Sequence, residues 1–208
     1  MDKEQLNWYA VKVFYNKVFE METLLHDHGL TTYLAAEKRR LKGPAHTAAR
    51  RKLALLQEEH KTSPRYIQEG PFIYERVPMV SSLIFFQATE SDLSALEKEL
   101  KDPSGGSPKG FIYKTPDWKS YAVIPQRQME IFRLVTDSGA SGLDFFSPDD
   151  IALYKEGGKV RVTEGPLQGV EGYVKRIRKD RRLLVCLDGI IGVATSYIPM
   201  QFLEPVEE

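Results

Sequence analysis

Three features predict an α+β fold in two parts. Strand and helix patterns alternate over the first two thirds of the chain, a locally basic stretch interrupts them, and a glycine-punctuated run of short strands closes it. In the first part the alternation implies strands and helices packed on one sheet. The last part reads as about five short strands, at 159–163, 172–178, 183–187, 191–197 and 202–203, which is the pattern of a small β-barrel.

The elements follow in order. Residues 8–15 (WYAVKVFY) are too short and too apolar for an amphipathic helix, so they read as a buried strand that Asn16 ends. From Lys17 the period changes to that of a helix, with Val18, Met21, Leu24 and Leu25 on one side and Gly29 as C-cap. Residues 31–35 return to strand character. Residues 36–76 carry ten Lys or Arg against five Glu, with Gly43-Pro44 and Gly70-Pro71 as turn markers, and read as a projecting basic hairpin or helical insert. Residues 78–88 form one strand with a continuous apolar end, and 91–101 an amphipathic helix with Ser91 as N-cap. A loop at 102–108 precedes a hairpin of 111–114 with 121–124, and Pro125 opens a third helix bearing Met129 and Phe132. Residues 137–142 begin an inter-domain linker, with the Phe145-Phe146 pair beyond it as a docking point. The expected domains are thus 1–137 with the insert at about 37–76, a linker at 138–153, and 154–208.

Composition narrows the function classes. The chain has 208 residues, 29 Lys and Arg and 29 Asp and Glu, so bulk charge favours no partner and only local clusters can. The single cysteine, Cys186, lies in an apolar run and reads as a buried small hydrophobe; with no disulfide possible, a reducing cytoplasm is expected. No run approaches the roughly 18 apolar residues of a membrane span. His26, His28, His46 and His60 lack the spacing of metal ligands, so no metal or other cofactor is expected. Without a P-loop, a nucleotide fingerprint or a nucleophile beside a base, the sequence points away from an enzyme.

The stretch from Gly158 to Ile177 (GKVRVTEGPLQGVEGYVKRI) carries the sharpest signal. Val160 and Val162 alternate with polar residues, Gly165-Pro166 ends the strand, and Gly165, Gly169 and Gly172 sit where turns need positive φ or where backbones approach closely. This pattern resembles the KOW motif of NusG-family transcription factors and some ribosomal proteins. With Trp8-Tyr9 opening strand one, Pro78-Met79-Val80 before the apolar strand, Lys109-Gly110 and the run IPQRQM at 124–129, essentially the whole chain resembles the NusG family, and within it the specialised RfaH and UpxY-like members.

The resemblance implies an N-terminal α/β sandwich, mainly antiparallel with flanking helices, joined to a C-terminal SH3-like barrel. It implies a non-enzymatic elongation and antitermination factor whose N-terminal domain binds the clamp of the largest RNA polymerase subunit through an apolar surface. The matching positions are Val80, Phe85, Met129 and Phe132. On that reading Phe132→Ala weakens polymerase binding and leaves the fold intact. The barrel is implied to recruit a ribosomal protein or Rho through Leu167, Val170 and Ile191. The departure is at 80–83 (VSSL), where the family's aromatic is replaced by Leu83.

Clustered cations on long stems suit phosphate contact, so Lys38, Arg39, Arg40, Arg50, Arg51 and Lys109 are candidate nucleic-acid contacts in the elongation complex, against the blander reading of a solvated arm. A second basic cluster at 175–182 reads as a solubilising turn. Any single apolar residue among those named is equally compatible with a core position; a cluster left exposed on one face marks an interface. The alternative is a ribosome-associated or RNA-binding KOW protein, in which those apolar residues are buried and basic clusters do the binding.

Overall fold

The computed structural model describes residues 5–101, 106–139, 142–152, 158–177 and 180–206. Residues 102–105 of the loop predicted at 102–108, residues 140–141 and 153 of the expected linker, residues 154–157 before the first C-terminal strand and residues 178–179 of the second basic cluster lie outside them. By its internal contacts the chain divides into two compact units, Val11–Phe111 and Met1–Ala10 with Ile112–Glu208.

One four-stranded sheet runs in the order β2-β6-β1-β7, where β1 is Asn7–Val13, β2 Thr31–Tyr33, β6 Leu83–Ala88 and β7 Gly110–Ile112. β2 pairs antiparallel with β6. Helix α3 (Glu90–Lys101) buries the predicted stripe of Leu93, Leu96 and Leu100, and α1 (Val18–Asp27) buries Val18, Met21 and Leu25 of its predicted stripe, whereas Leu24 is half-buried and Glu22, expected on the polar side, is buried in its place. Leu30 N–H donates to Leu25 O at 3.0 Å and Gly29 N–H to His26 O at 2.8 Å, the Schellman closure expected at Gly29. The start of α3 differs from expectation. Thr89, not Ser91, caps it: Thr89 N–H donates to Asp92 Oδ2 at 2.8 Å while Asp92 N–H returns a bond to Thr89 Oγ1 at 3.3 Å.

Two further strand boundaries differ. β1 ends at Val13, and Phe14 and Tyr15 lie beyond it on the surface, Tyr15 77% exposed with a positive φ of 59°. The run at 78–88 is two strands, because β5 (Phe72–Pro78) stops at the proline, which has no N–H to extend a ladder, and 79–82 turn before β6.

The basic insert is neither a simple hairpin nor a lone helix. β3 (Ala36–Arg40), β5 and β4 (Tyr66–Glu69) form a three-stranded antiparallel sheet in the order β3-β5-β4, with the 16-residue helix α2 (Gly43–Glu58) connecting β3 to β4. Pro44 in the first turn of α2 has no N–H to satisfy there.

In the other unit, the hairpin expected between residues 111 and 124 is present: Lys114 bridges Tyr121, Ala122 N–H donates to Tyr113 O at 2.9 Å, and Ile124 N–H to Trp8 O at 2.8 Å. Helix α4 (Gln126–Asp137) follows. The C-terminal strands β9 (Lys159–Val162), β10 (Glu171–Ile177), β11 (Asp180–Leu187), β12 (Ile191–Tyr197) and β13 (Leu203–Pro205) agree with the sequence expectation within a few residues. A sixth, β8 (Asp144–Phe146), comes from the stretch read as linker: Phe145 and Phe146 dock by pairing with Val193 and Gly192 of β12. A short helix, α5 (Pro148–Ala152), follows β8. The order is β13-β9-β10-β11-β12-β8, each pair antiparallel, and among the described residues no ladder joins the two outer strands. No helix among the described residues is long and apolar enough to cross a membrane.

Candidate functional site

The glycine-rich turn is built as its composition demands. Gly169 has φ +83° and its N–H donates to Val162 O at 2.8 Å, closing the turn between β9 and β10. Gly172 faces the carbonyl of Leu184 on β11, and a Cβ there would sit well inside contact distance of that oxygen. Together they let β9 and β11 approach β10 from both sides.

Glu171, between these glycines, gathers cations. Lys159 Nζ lies 2.9 Å from its Oε2, and Arg161 and Arg127 donate to Oε1 at 2.8 and 3.1 Å. Bonds from Lys159 and Arg161, reinforced by their charges and that of Arg127, hold the Glu171 carboxyl down at about 2. Arg127 and Gln128 belong to α4, and Gln128 donates to Asp188 Oδ2 at 3.3 Å, so this helix is tied to the C-terminal strands by polar bonds at two points. A cleft of about 340 Å³ opens beside them, lined by Arg127, Ile131, Lys159, Glu171 and Cys186. Cys186 is half-buried rather than buried as its apolar run suggests, because it points to this cleft.

The apolar residues assigned to a polymerase surface are mostly core. Phe85 on β6 is 1% exposed, and Met129 and Phe132, one turn apart on α4, are 0% exposed; Val80, in the turn before β6, is half-buried. Among the C-terminal positions Val170 and Ile191 are buried and Leu167 is half-buried in the glycine turn. Sequence periodicity marks a residue as apolar-facing but does not distinguish a face turned to a partner from one turned to the core.

The basic candidates divide by their partners. Lys38 Nζ bonds Glu69 at 2.6 Å, and Arg39 bonds Glu75, which also takes Arg65 at 2.6 Å. Glu75 is buried, and the bond from Arg39, then those from Arg65, hold its pKa below the usual carboxylate range. Arg40 lies with its guanidinium carbon 3.8 Å above the Phe72 ring. Arg50 and Arg51 are exposed on α2, and Lys109 is exposed before β7. The histidines diverge: His26 Nε2 bonds Thr32 Oγ1 and His28 Nε2 bonds Glu99, each at 2.8 Å.

No family model matches the chain, and no curated protein matches it. Among solved structures the chain is similar to one described as "Domain interaction in Thermotoga maritima NusG", with 13% identity, a TM-score of 0.42 and 98% of each chain covered. Identity and score this low leave family and function to be argued from the residues of this chain.

Proposed function

We propose that the chain is a non-enzymatic transcription elongation and antitermination factor of the NusG type, specialised in the RfaH and UpxY-like manner. Residues 1–137 bind the RNA polymerase clamp, and 154–208, as an SH3-like barrel, recruit a ribosomal protein or Rho in the cytoplasm. The observation that carries this reading is the glycine turn. Its spacing resembles the KOW motif, Gly169 holds a positive φ that side chains disfavour, and Gly172 sits where a Cβ would meet the Leu184 carbonyl oxygen.

The clamp contact assigned to Val80, Phe85, Met129 and Phe132 has a cost. Three of the four are buried, so a partner reaches only Val80 until the others are uncovered. The same holds for Leu167 against Val170 and Ile191. Phosphate contact through Arg40, Arg50, Arg51 and Lys109 needs no such opening, whereas Lys38 and Arg39 must leave a carboxylate first. The burial of Phe85, Met129 and Phe132 favours the second reading, an RNA-binding KOW protein.

The test is capture of purified bacterial core RNA polymerase on the immobilised full chain. Retention that falls at least tenfold in Val80→Asp, with the variant folded, supports the elongation-factor reading. No retention of polymerase, with retention of RNA, replaces it with the second.

A further inference from the structure

The insert's sheet has two unlike faces. Residues directly opposite in an antiparallel pair point to the same side, and alternate residues of a strand to opposite sides. Glu75 stands opposite both Arg39 and Tyr66, which places these three and Ile73 on one face. Tyr74 stands opposite Arg40 and Ile67, which places them on the other face with Phe72 and, opposite Arg76, Lys38.

α2 occupies the first face. Lys52 of this helix lies 5.9 Å from the Tyr66 ring centroid, and Ala49 and Ile73 are both buried. At its Arg76 end the second face is closed, since Arg76 bonds the buried Glu22 of α1 at 2.7 Å; the rest keeps its groups accessible: Lys38 and Arg40 are exposed, Phe72 is 39% exposed, and Ile67 and Tyr74 are half-buried. At 3.8 Å the Arg40 guanidinium is stacked on Phe72, leaving its outer plane and N–H edges to solvent.

We infer that this second face is a stacking platform for unpaired bases of single-stranded nucleic acid, with Phe72 and the Arg40 guanidinium as the stacking surface and Lys38 as a phosphate contact. Flat π-surfaces beside cations on long stems take a base and its phosphate together, and every base has a π-face, so the platform is tolerant of sequence. A protein partner would need more apolar area than one half-exposed ring and two half-buried side chains supply. The Lys38–Glu69 pair does not block the site: both members are about half exposed, and such pairs contribute little, so a phosphate displaces Glu69 from Lys38. Glu69 is the one repulsive group on this face among the residues named here.

The inference does not rest on polymerase binding, and its test uses none. Fluorescence anisotropy would follow a labelled 12-nucleotide strand, as RNA and as DNA of one sequence, and the matching duplexes, on the full chain over a salt series. The expectation is single-strand binding at least tenfold tighter than duplex binding. Phe72→Leu, which keeps apolar bulk without a π-face, weakens it at least about fivefold with the salt slope unchanged, and Phe72→Trp retains it. Arg40→Gln weakens binding, and Lys38→Gln weakens it and lowers the salt slope by about 0.7. Glu69→Gln tightens it. Circular dichroism confirms that each variant is folded, and whichever sugar binds more tightly identifies the strand. Equal binding of duplex and single strand, no binding by the parent chain, or a folded Phe72→Leu that binds as the parent does overturns the inference.

Discussion

The Arg127 guanidinium on α4 donates to the Glu171 carboxylate on β10 at 3.1 Å, joining a helix of the first two thirds of the chain to the strand that follows the glycine turn. Arg127 is 70% exposed, so the bond by itself is weak; exposed pairs contribute about 0–1 kcal/mol. Its interest lies in Glu171, which is only 10% exposed and also holds Lys159 and Arg161.

That arrangement sets a pH dependence. The Glu171 pKa is lowered from 4.5 to about 2 by folding, so the folded state holds fewer protons than the unfolded one between those values. The stabilisation is complete above the unfolded pKa and is lost as pH falls from about 4.5 toward 2. Thermal melts across this window should show Glu171→Gln less stable than the parent at pH 6 and converging with it near pH 2. Parallel curves would mean that the cations do not act through this carboxylate.

Gly172→Ala should destabilise the chain by about 1–3 kcal/mol, because the added Cβ meets the Leu184 carbonyl oxygen, which is backbone and moves only with its strand. Gly169→Ala should cost about 1 kcal/mol for its positive φ, with open space around it. Urea midpoints order the two: the cost at Gly172 exceeds that at Gly169 if close approach rather than turn conformation is the tighter constraint.

Glu75→Ala leaves Arg39 and Arg65 without their shared buried carboxylate and should cost about 1–3 kcal/mol, whereas Arg39→Ala, from a residue 66% exposed, should cost under about 1 kcal/mol. Denaturant midpoints of the two variants and their double variant give the coupling. Equal single costs would place the stabilisation on the Arg39 side.

Much of this was legible in the sequence wherever period and punctuation agree. The strands from 159 to 197 and the helix bearing Leu93, Leu96 and Leu100 fall where alternation and 3.6-residue spacing put them. The misses have local causes. Pro78 ends β5 instead of opening the next strand, so a turn at 79–82 precedes β6, and Thr89 outcompetes Ser91 because Asp92 sits three residues after it to complete the box. β8 went unread because three residues are too few to show a period, and only pairing with β12 makes them a strand. The insert's sheet was hidden for the opposite reason. Its strands are charged, and what holds them is a buried Glu75 between two arginines, a cross-strand relation that single-strand patterns do not encode. Ion pairing likewise separates Lys38 and Arg39 from Arg40, Arg50 and Arg51, although all five read alike as basic residues.

Phe132 is where sequence and structure disagree most about consequence. Read as a partner contact, Phe132→Ala would weaken binding and leave the fold intact. Read from its place on α4, where it is fully buried with Met129 and Val135, it is a core residue, and truncating a buried phenylalanine costs about 3–5 kcal/mol. That is a large part of the roughly 5–15 kcal/mol stability of a typical protein. Val80 is the control, since it is half-buried in a turn and its truncation to Ala should cost under about 1.5 kcal/mol. Urea midpoints measured for Phe132→Ala and Val80→Ala, beside capture of core RNA polymerase by each, separate the roles. A large stability loss for Phe132→Ala with a small one for Val80→Ala assigns Phe132 to the core, and any loss of polymerase capture by it must then be read through unfolding. A Phe132→Ala chain as stable as the parent would instead mean that α4 releases this side chain readily, as a buried residue shared with a partner must.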